Sequence, residues 1–191
     1  MPLLLLLLLL AGPALAAPEV TPDQLAQGGY VVYFRHGHAE RGQDCKDPNQ
    51  AYWWRSHDPG LTRQLDDQGR HQAAVIGTGL RAAGIRVDQV RSSEFNRAVE
   101  TAETMSVGPV IVERDLTPLA SYGALEPRLD QCLNRAPASG TINVLVAHGH
   151  VTELFSHLNE GDGAVFRPGP NGPTFIGFIP YQTWQRLGRS R

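Results

Sequence analysis

The stretch GYVVYFRHG at residues 29–37 decides which fold we expect for this chain. Residues 29–34 form an unbroken apolar, β-favouring run, which is typical of a strand that is buried on both faces. The run ends abruptly in the polar sequence RHG. The same arrangement returns at residues 142–147, where INVLVA is followed by HGH. Strands that are buried on both faces occur mainly in parallel sheets covered by helices on two sides.

Helical periodicity separates these two strands. Ala73, Ile76, Leu80 and Ala83 fall on one helical face, and Gly84 is placed to end that helix. The pattern also predicts helices near residues 95–105, 125–135 and 151–158, strands at 87–91, 110–112 and 175–179, and loops at 40–60 and 161–173. Because strands alternate with helices, we expect an α/β fold, a three-layer α/β/α sandwich with a mainly parallel central sheet.

The composition narrows the class of protein. Of the 191 residues, 41% are hydrophobic and 19% are charged, which excludes an intrinsically disordered chain. The net charge is −2, so there is no general cationic field, and we expect no nucleic-acid partner. Lys46 is the single lysine among 17 basic residues, and arginines favour bidentate binding of phosphate or carboxylate. Any anion must therefore be bound by a local cluster.

The N-terminal residues predict export. Residues 3–10 are consecutive leucines, a run too short to span a bilayer, and residues 14–16 (ALA) match a small-residue cleavage site. A retained anchor is the alternative. We therefore expect a signal peptide at residues 1–16, a single catalytic domain at residues 17–191, a periplasmic or secreted location, and no stable membrane insertion after cleavage.

The two cysteines leave two interpretations open. In an oxidising compartment, Cys45 and Cys132 could form a disulfide. Alternatively, Cys132 is a reduced, buried residue that packs beside Leu129 and Leu133 on one face of its helix.

Three strand-to-helix junctions carry the residues that could take part in binding or catalysis. One strand ends at Arg35 and His36, another leads to Ser93 with Arg97 in the next helical turn, and a third ends at His148. In a parallel sheet these junctions lie at the carboxyl edge, where α/β proteins bind ligands. Such a cationic cluster suits a phosphoryl group. A neutral imidazole can attack phosphorus and form a phosphohistidine, while arginines stabilise the transferring oxygens.

At these residues the sequence resembles the histidine phosphatase superfamily, which has the phosphoglycerate-mutase-like fold, and in particular its small secreted branch. The matching motifs are Arg35-His36-Gly37, Gly69-x-x-Gln72-Ala73, Ser93-x-x-x-Arg97-Ala98 followed by Thr101-Ala102, and Ala147-His148-Gly149. The resemblance implies that His36 is the nucleophile and that Arg35, Arg97 and His148 complete the phosphate pocket. It implies a metal-independent phosphatase that needs no cofactor and acts on a small phosphorylated substrate or a phosphoprotein.

The resemblance also implies a general acid, which this sequence does not supply at the usual place. Relatives commonly carry a Glu in an L-x-E pattern after the second motif, where this chain has Pro118. Nearby carboxylates are Glu40, Glu113, Asp115 and Glu126, of which Glu126 is our candidate proton donor. A good leaving group, or a phosphoramidate such as phosphohistidine, would need less protonation.

Other interpretations compete with this one. His38 and His150, with Ser93, are candidate accessory residues of the site. The pairs His36/His38 and His148/His150 also match an H-x-H metal-ligand pattern, so a zinc-dependent hydrolase is an alternative. A phosphate-ligand binding module without turnover is another, and we favour a monomer.

The sequence leaves two interpretations open for a tryptophan pair in the loop and gives no special role to Glu94. The Trp53/Trp54 pair forms either a lid over the substrate or a cap on the core. Glu94 is expected to be an ordinary solvated helix charge.

Overall fold

A computed structural model describes residues 18–45, 47 and 49–189 of the chain. The expected signal peptide therefore lies outside the described residues. Within them, one six-stranded sheet has the order β3-β2-β4-β1-β5-β6. Its strands are β1 (Tyr30–Arg35), β2 (Val87–Ser92), β3 (Val110–Val112), β4 (Ile142–Ala147), β5 (Gly163–Arg167) and β6 (Thr174–Ile179). The helices are α1 (Pro22–Ala26), α2 (Asp67–Ala82), α3 (Asn96–Met105), α4 (Leu125–Leu133), α5 (Glu153–Ser156) and α6 (Tyr181–Arg189).

The sheet is parallel where the predicted site lies. β1 pairs with β4, β4 with β2, and β2 with β3, all in parallel. β5 and β6 extend the other side of β1 in antiparallel pairing. The α/β class and the mainly parallel sheet are confirmed.

Two apolar clusters cover the two faces of the sheet. One joins Val32 and Phe34 of β1 to the inner faces of α2, α3 and α6. The other joins Val31 and Tyr33 to α4 and α5. Successive side chains of a strand point to opposite faces, so the unbroken run in β1 supplies both clusters. This gives the three expected layers.

Two local predictions are wrong. Residues 161–173, predicted as a loop, contain β5, whose short Gly-Ala-Val-Phe run pairs with β1 and is buried there. The helix expected over 151–158 is a single turn, α5, which begins after the N-cap Thr152, whose side chain accepts from the Phe155 amide, and ends at the C-cap His157. A further helix, α6, was not predicted, and its Trp184 is fully buried.

The cysteines are both free, so the disulfide interpretation is not supported. Cys132 is buried in the cluster beneath α4, whereas Cys45 is exposed in the loop that follows β1. Burial in apolar surroundings raises the pKa of the Cys132 thiol to about 11, as expected for an inert core thiol. Of the described helices, none is long and apolar enough to cross a membrane.

Candidate active site

The three strand ends meet at one edge of the sheet, as the parallel pairing requires. The His36 amide donates to the Ala147 carbonyl at 2.9 Å, and the Ser93 amide donates to the Val146 carbonyl at 2.9 Å. These bonds bring the first residues after β1, β4 and β2 side by side. As a result the rings of His36 and His148 lie 5.3 Å apart, edge to face.

His36 is buried, with 2% of its surface exposed, and its ring is oriented by two neighbours. Its Nδ1 lies 2.7 Å from the Gly37 carbonyl oxygen, which can only accept a hydrogen bond. Nδ1 therefore carries the proton and Nε2 carries the lone pair. That lone pair accepts a hydrogen bond from Arg97 Nε at 3.1 Å. Burial, and then the charge of Arg97, hold the pKa of His36 well below its ordinary value of 6.5.

Arg97 is buried against a carboxylate that the sequence did not point to. Its Nη1 and Nη2 donate to Oδ1 and Oδ2 of Asp44, each at 3.2 Å. Asp44 also accepts from the Thr62 hydroxyl at 3.0 Å and the Arg63 amide at 3.1 Å. Burial alone would raise the pKa of Asp44, but the charge and hydrogen bonds of Arg97, with the Arg63 amide, outweigh it and lower the pKa. Asp44 is therefore ionised.

His148 is fixed from both ends. Its Nε2 lies 2.7 Å from the Ser93 hydroxyl, and this hydrogen bond fixes the orientation of the imidazole ring. The Tyr33 hydroxyl donates to the His148 carbonyl at 2.7 Å and accepts from the His148 amide at 3.0 Å. Burial, followed by the charge of Arg97, lowers the pKa of His148 well below 6.5. Both site imidazoles are thus neutral.

Arg35 borders the same site and is tied to the chain after α5. It donates to the Leu158 carbonyl at 2.8 Å and to Glu160 at 3.4 Å. Its side chain runs along Gly149, where an added Cβ would lie 2.8 Å from Arg35 Cδ. A larger residue at position 149 would therefore displace the Arg35 side chain from this position.

These residues line a cleft of about 870 Å³. Arg35, His36, Arg97, His148 and His150 all face it, and so does Arg63, which lies outside our expected set. Residues 118–121, where the resemblance implies an acidic residue, line the cleft and supply no carboxylate. Glu126 is exposed on α4 and does not line the cleft, so the proposed proton donor is not part of this site. Its helix, α4, begins at Leu125, after the last cleft-lining residue of that wall at position 121.

The two H-x-H pairs do not converge on a common point. His38 Nδ1 contacts Asp66 at 2.5 Å, beside the start of α2, while His36 Nδ1 is occupied by Gly37. His150 has a left-handed backbone (φ 57°), so it does not continue the extended geometry of His148. Within the described part of the chain, no group of three or more His, Cys, Asp or Glu residues is arranged to hold a metal ion.

Glu94 is not the solvated charge that its place near a helix suggested. It is 6% exposed, and its carboxylate accepts hydrogen bonds from Trp54 Nε1 at 3.2 Å and the Tyr122 hydroxyl at 2.7 Å. Arg55 completes the set as an ion pair. These partners lie 28 to 40 residues away along the chain, so no local sequence signal could have identified them.

Comparison with known proteins agrees with this geometry. The family model of the histidine phosphatase superfamily (branch 1) matches residues 31–120, a span that includes His36 and Arg97. A search of curated proteins by sequence gave no match.

Several solved structures share the fold. The chain is similar to a protein histidine phosphatase, SixA, complexed with tungstate, at 17% identity and a TM-score of 0.56, covering 80% of this chain and 97% of that one. It is also similar to the alpha-ribazole phosphatase from Shigella flexneri (14% identity, TM-score 0.54, 80% and 96% covered). A third similar structure is phosphoserine phosphatase from Entamoeba histolytica in complex with 3-phosphoglyceric acid, at 16% identity and a TM-score of 0.52, covering 81% of this chain and 98% of that one. The family model and the motifs at the three strand ends together support the histidine phosphatase superfamily as the family of this chain.

Proposed function

We propose that the protein is a phosphatase that acts through a covalent phosphohistidine on His36. The observation that carries this proposal is the state of His36: a buried, neutral imidazole with its Nε2 lone pair beside Arg97 in a cleft that three arginines line. A nucleophilic imidazole needs this unprotonated nitrogen. The phosphatases to which the chain is similar in fold support the same conclusion.

The first chemical step transfers the phosphoryl group to His36. The Nε2 lone pair attacks phosphorus, the bond from phosphorus to the ester oxygen breaks, and the leaving oxygen takes the electron pair and a proton from water. Arg97 Nε–H, which faces Nε2 in the resting site, then donates to a phosphoryl oxygen. Nδ1 keeps its proton and donates a hydrogen bond to the Gly37 carbonyl, which stabilises the positive charge on the ring.

The second step releases phosphate. Water attacks phosphorus, loses a proton, and the phosphorus–nitrogen bond breaks with its electron pair returning to Nε2. His36 is thereby restored to its neutral form. Through both steps Asp44 holds the Nη1/Nη2 edge of Arg97, so that its Nε edge stays directed at the reacting atoms. Asp44 is therefore a positioning residue in this mechanism.

Hydrolysis of 4-nitrophenyl phosphate tests the proposal, because its activated leaving group needs no general acid. We expect activity that survives EDTA, falls with vanadate and disappears in His36→Ala. The matched control is His71→Ala, which removes an exposed histidine of α2. Rapid quenching should trap an acid-labile phosphoenzyme only when His36 is present. Activity that requires added zinc would favour a metal hydrolase, and vanadate binding without turnover would favour a binding module.

We also propose that the protein is exported. The leucine run at residues 3–10 and the ALA sequence at residues 14–16 support this. The intact mass of the protein recovered from a periplasmic or culture fraction tests it, and we expect a chain that begins at residue 17. Recovery of the full-length chain in the cytoplasmic fraction would contradict export.

A further inference from the structure

An unbroken row of rings runs along the cleft away from the nucleophile. His148 lies 5.3 Å from His36, Phe95 lies 4.7 Å from His148, and Trp53 lies 5.6 Å from Phe95. Trp54 follows at 5.8 Å from Trp53, and Tyr52 at 5.6 Å from Trp54. All six rings line the cleft. The aromatic wall, as we name Tyr52, Trp53, Trp54 and Phe95, therefore begins beside the phosphoryl position and ends at Tyr52.

A second apolar surface belongs to the same cleft. Pro118, Leu119 and Ala120 line it together with the aromatic wall. Glu94 links the two surfaces. Trp54 of the aromatic wall and Tyr122, which follows the second surface in sequence, both donate to its carboxylate. The Glu94 amide also donates to the Thr117 hydroxyl at 2.9 Å. The cleft is thus a preformed slot rather than a loose opening.

Tyr52 carries the strongest sign that the slot is built for a ligand. It is 62% exposed, the most exposed of the large hydrophobic side chains in the described residues. Its backbone is left-handed (φ 56°), a conformation that costs free energy for a residue with a side chain. An exposed aromatic ring held in a strained backbone at the end of a cleft is typical of a binding surface.

We propose that this slot binds the organic part of the substrate and selects phosphate compounds whose organic group carries a flat ring. The proposal rests on the proposed phosphatase function, and it names the substrate class of the same site. A phosphoryl group alone fills only a small part of a cleft of about 870 Å³. Rings pack favourably against aromatic side chains, both through buried area and through edge and face contacts.

Binding of non-hydrolysable phosphonates tests the slot without any contribution from the leaving group. The probes are benzylphosphonate, cyclohexylmethylphosphonate and butylphosphonate, measured by calorimetry on the wild-type chain. We expect benzylphosphonate to bind about 10-fold more tightly than butylphosphonate. We expect no such gain for the cyclohexylmethyl compound, and an equal gain for it would contradict selection for flat rings.

Variants locate the effect. Trp54→Ala and Tyr52→Ala should each remove most of the benzyl advantage and leave butylphosphonate affinity within about two-fold. Ile111→Ala, which removes an exposed apolar side chain of β3 outside the cleft, is the control and should change neither. Glu94→Gln should reduce benzylphosphonate affinity, because it weakens the interactions that hold Trp54 and Arg55 in place. Glu100→Gln, in α3 and outside the cleft, should not change it.

The outcomes separate this proposal from the proposed function. Equal affinities for benzyl- and butylphosphonate, or equal losses for both in Trp54→Ala, would overturn the ring slot while His36-dependent hydrolysis still stood. Failure of all three phosphonates and of vanadate to bind would overturn the phosphoryl pocket itself. A benzyl advantage that persists in both Trp54→Ala and Tyr52→Ala would place the ring elsewhere and refute the aromatic wall.

Discussion

Replacing Asp44 by Asn should impair both the reaction and the fold, because Asp44 orients Arg97. The substitution keeps the size of the side chain but replaces Oδ2, which accepts from Arg97 Nη2 at 3.2 Å, by an amide group that donates. Arg97 then keeps only the bond from Nη1 to Oδ1. A hydrogen bond between charged groups contributes about 1.5–3 kcal/mol, and losing about 2 kcal/mol of transition-state binding corresponds to a decrease of about 30-fold in kcat/KM.

The assay is the hydrolysis of 4-nitrophenyl phosphate, with vanadate inhibition measured in parallel. We expect kcat to fall and the vanadate inhibition constant to rise by about the same factor of 30, since both depend on a correctly directed Arg97. The free energy of unfolding should fall by about 2 kcal/mol, because a buried guanidinium loses its counter-charge. Asp130→Asn, at an exposed position of α4, is the control and should leave all three quantities unchanged.

One result would refute the orienting role outright. Asp44 occupies the outer edge of the Arg97 guanidinium, so it could instead compete with the phosphoryl group for that arginine. In that case Asp44→Asn would bind vanadate more tightly and show a lower KM. The two mechanisms predict changes of opposite sign, so a single inhibition constant distinguishes them.

Three further predictions concern the protons and hydrogen bonds of the site. Below pH 6.5 the unfolded chain takes up protons at His36 and His148 that the folded chain does not bind. The free energy of unfolding should therefore decrease as the pH is lowered, by up to about 1.4 kcal/mol per pH unit for each histidine. Urea unfolding at several pH values measures this, and a free energy that does not change with pH would contradict it. Tyr33→Phe leaves the amide and carbonyl of His148 unpaired, and thermal unfolding should reveal a loss of about 1–3 kcal/mol, whereas an unchanged midpoint would contradict the bridging role. Glu126→Gln should leave kcat/KM unchanged for a series of aryl phosphates, and the rate should depend steeply on the pKa of the leaving phenol; a selective loss on poor leaving groups would restore Glu126 as the acid.

The sequence predicts those parts of the site that topology alone positions. In a parallel sheet, the residues after β1, β2 and β4 must lie at one edge, whatever the rest of the chain does. This is why Arg35, His36 and His148 could be grouped from strand ends, and why Arg97, one turn into α3, could be added to them. The bounds of β3 and β4 match the prediction, since each is a short run of mainly apolar residues.

Elements without such a run were missed or misjudged. β5 is a short strand beside β1 in a segment otherwise rich in Gly and Pro, so turn signals mask it. The α6 helix is anchored by Trp184, which packs against Gly79 of α2 at a distance that a larger residue there would not allow. That contact depends on two residues far apart in sequence. The segment itself does carry a helical period, because Tyr181, Trp184 and Leu187 recur every three residues and pack on the core.

The same limit explains why the carboxylates of the site escaped prediction, and the reason is electrostatic. Three arginines around one cleft would repel one another and lose hydration without counter-charges. The fold supplies these counter-charges from distant segments: Asp44 for Arg97 and Glu160 for Arg35. A site that binds phosphate must therefore hold its arginines with carboxylates on their outer edges and leave the inner edges for the ligand. A strand-end motif identifies the arginines, but only the folded chain identifies the acids that direct them.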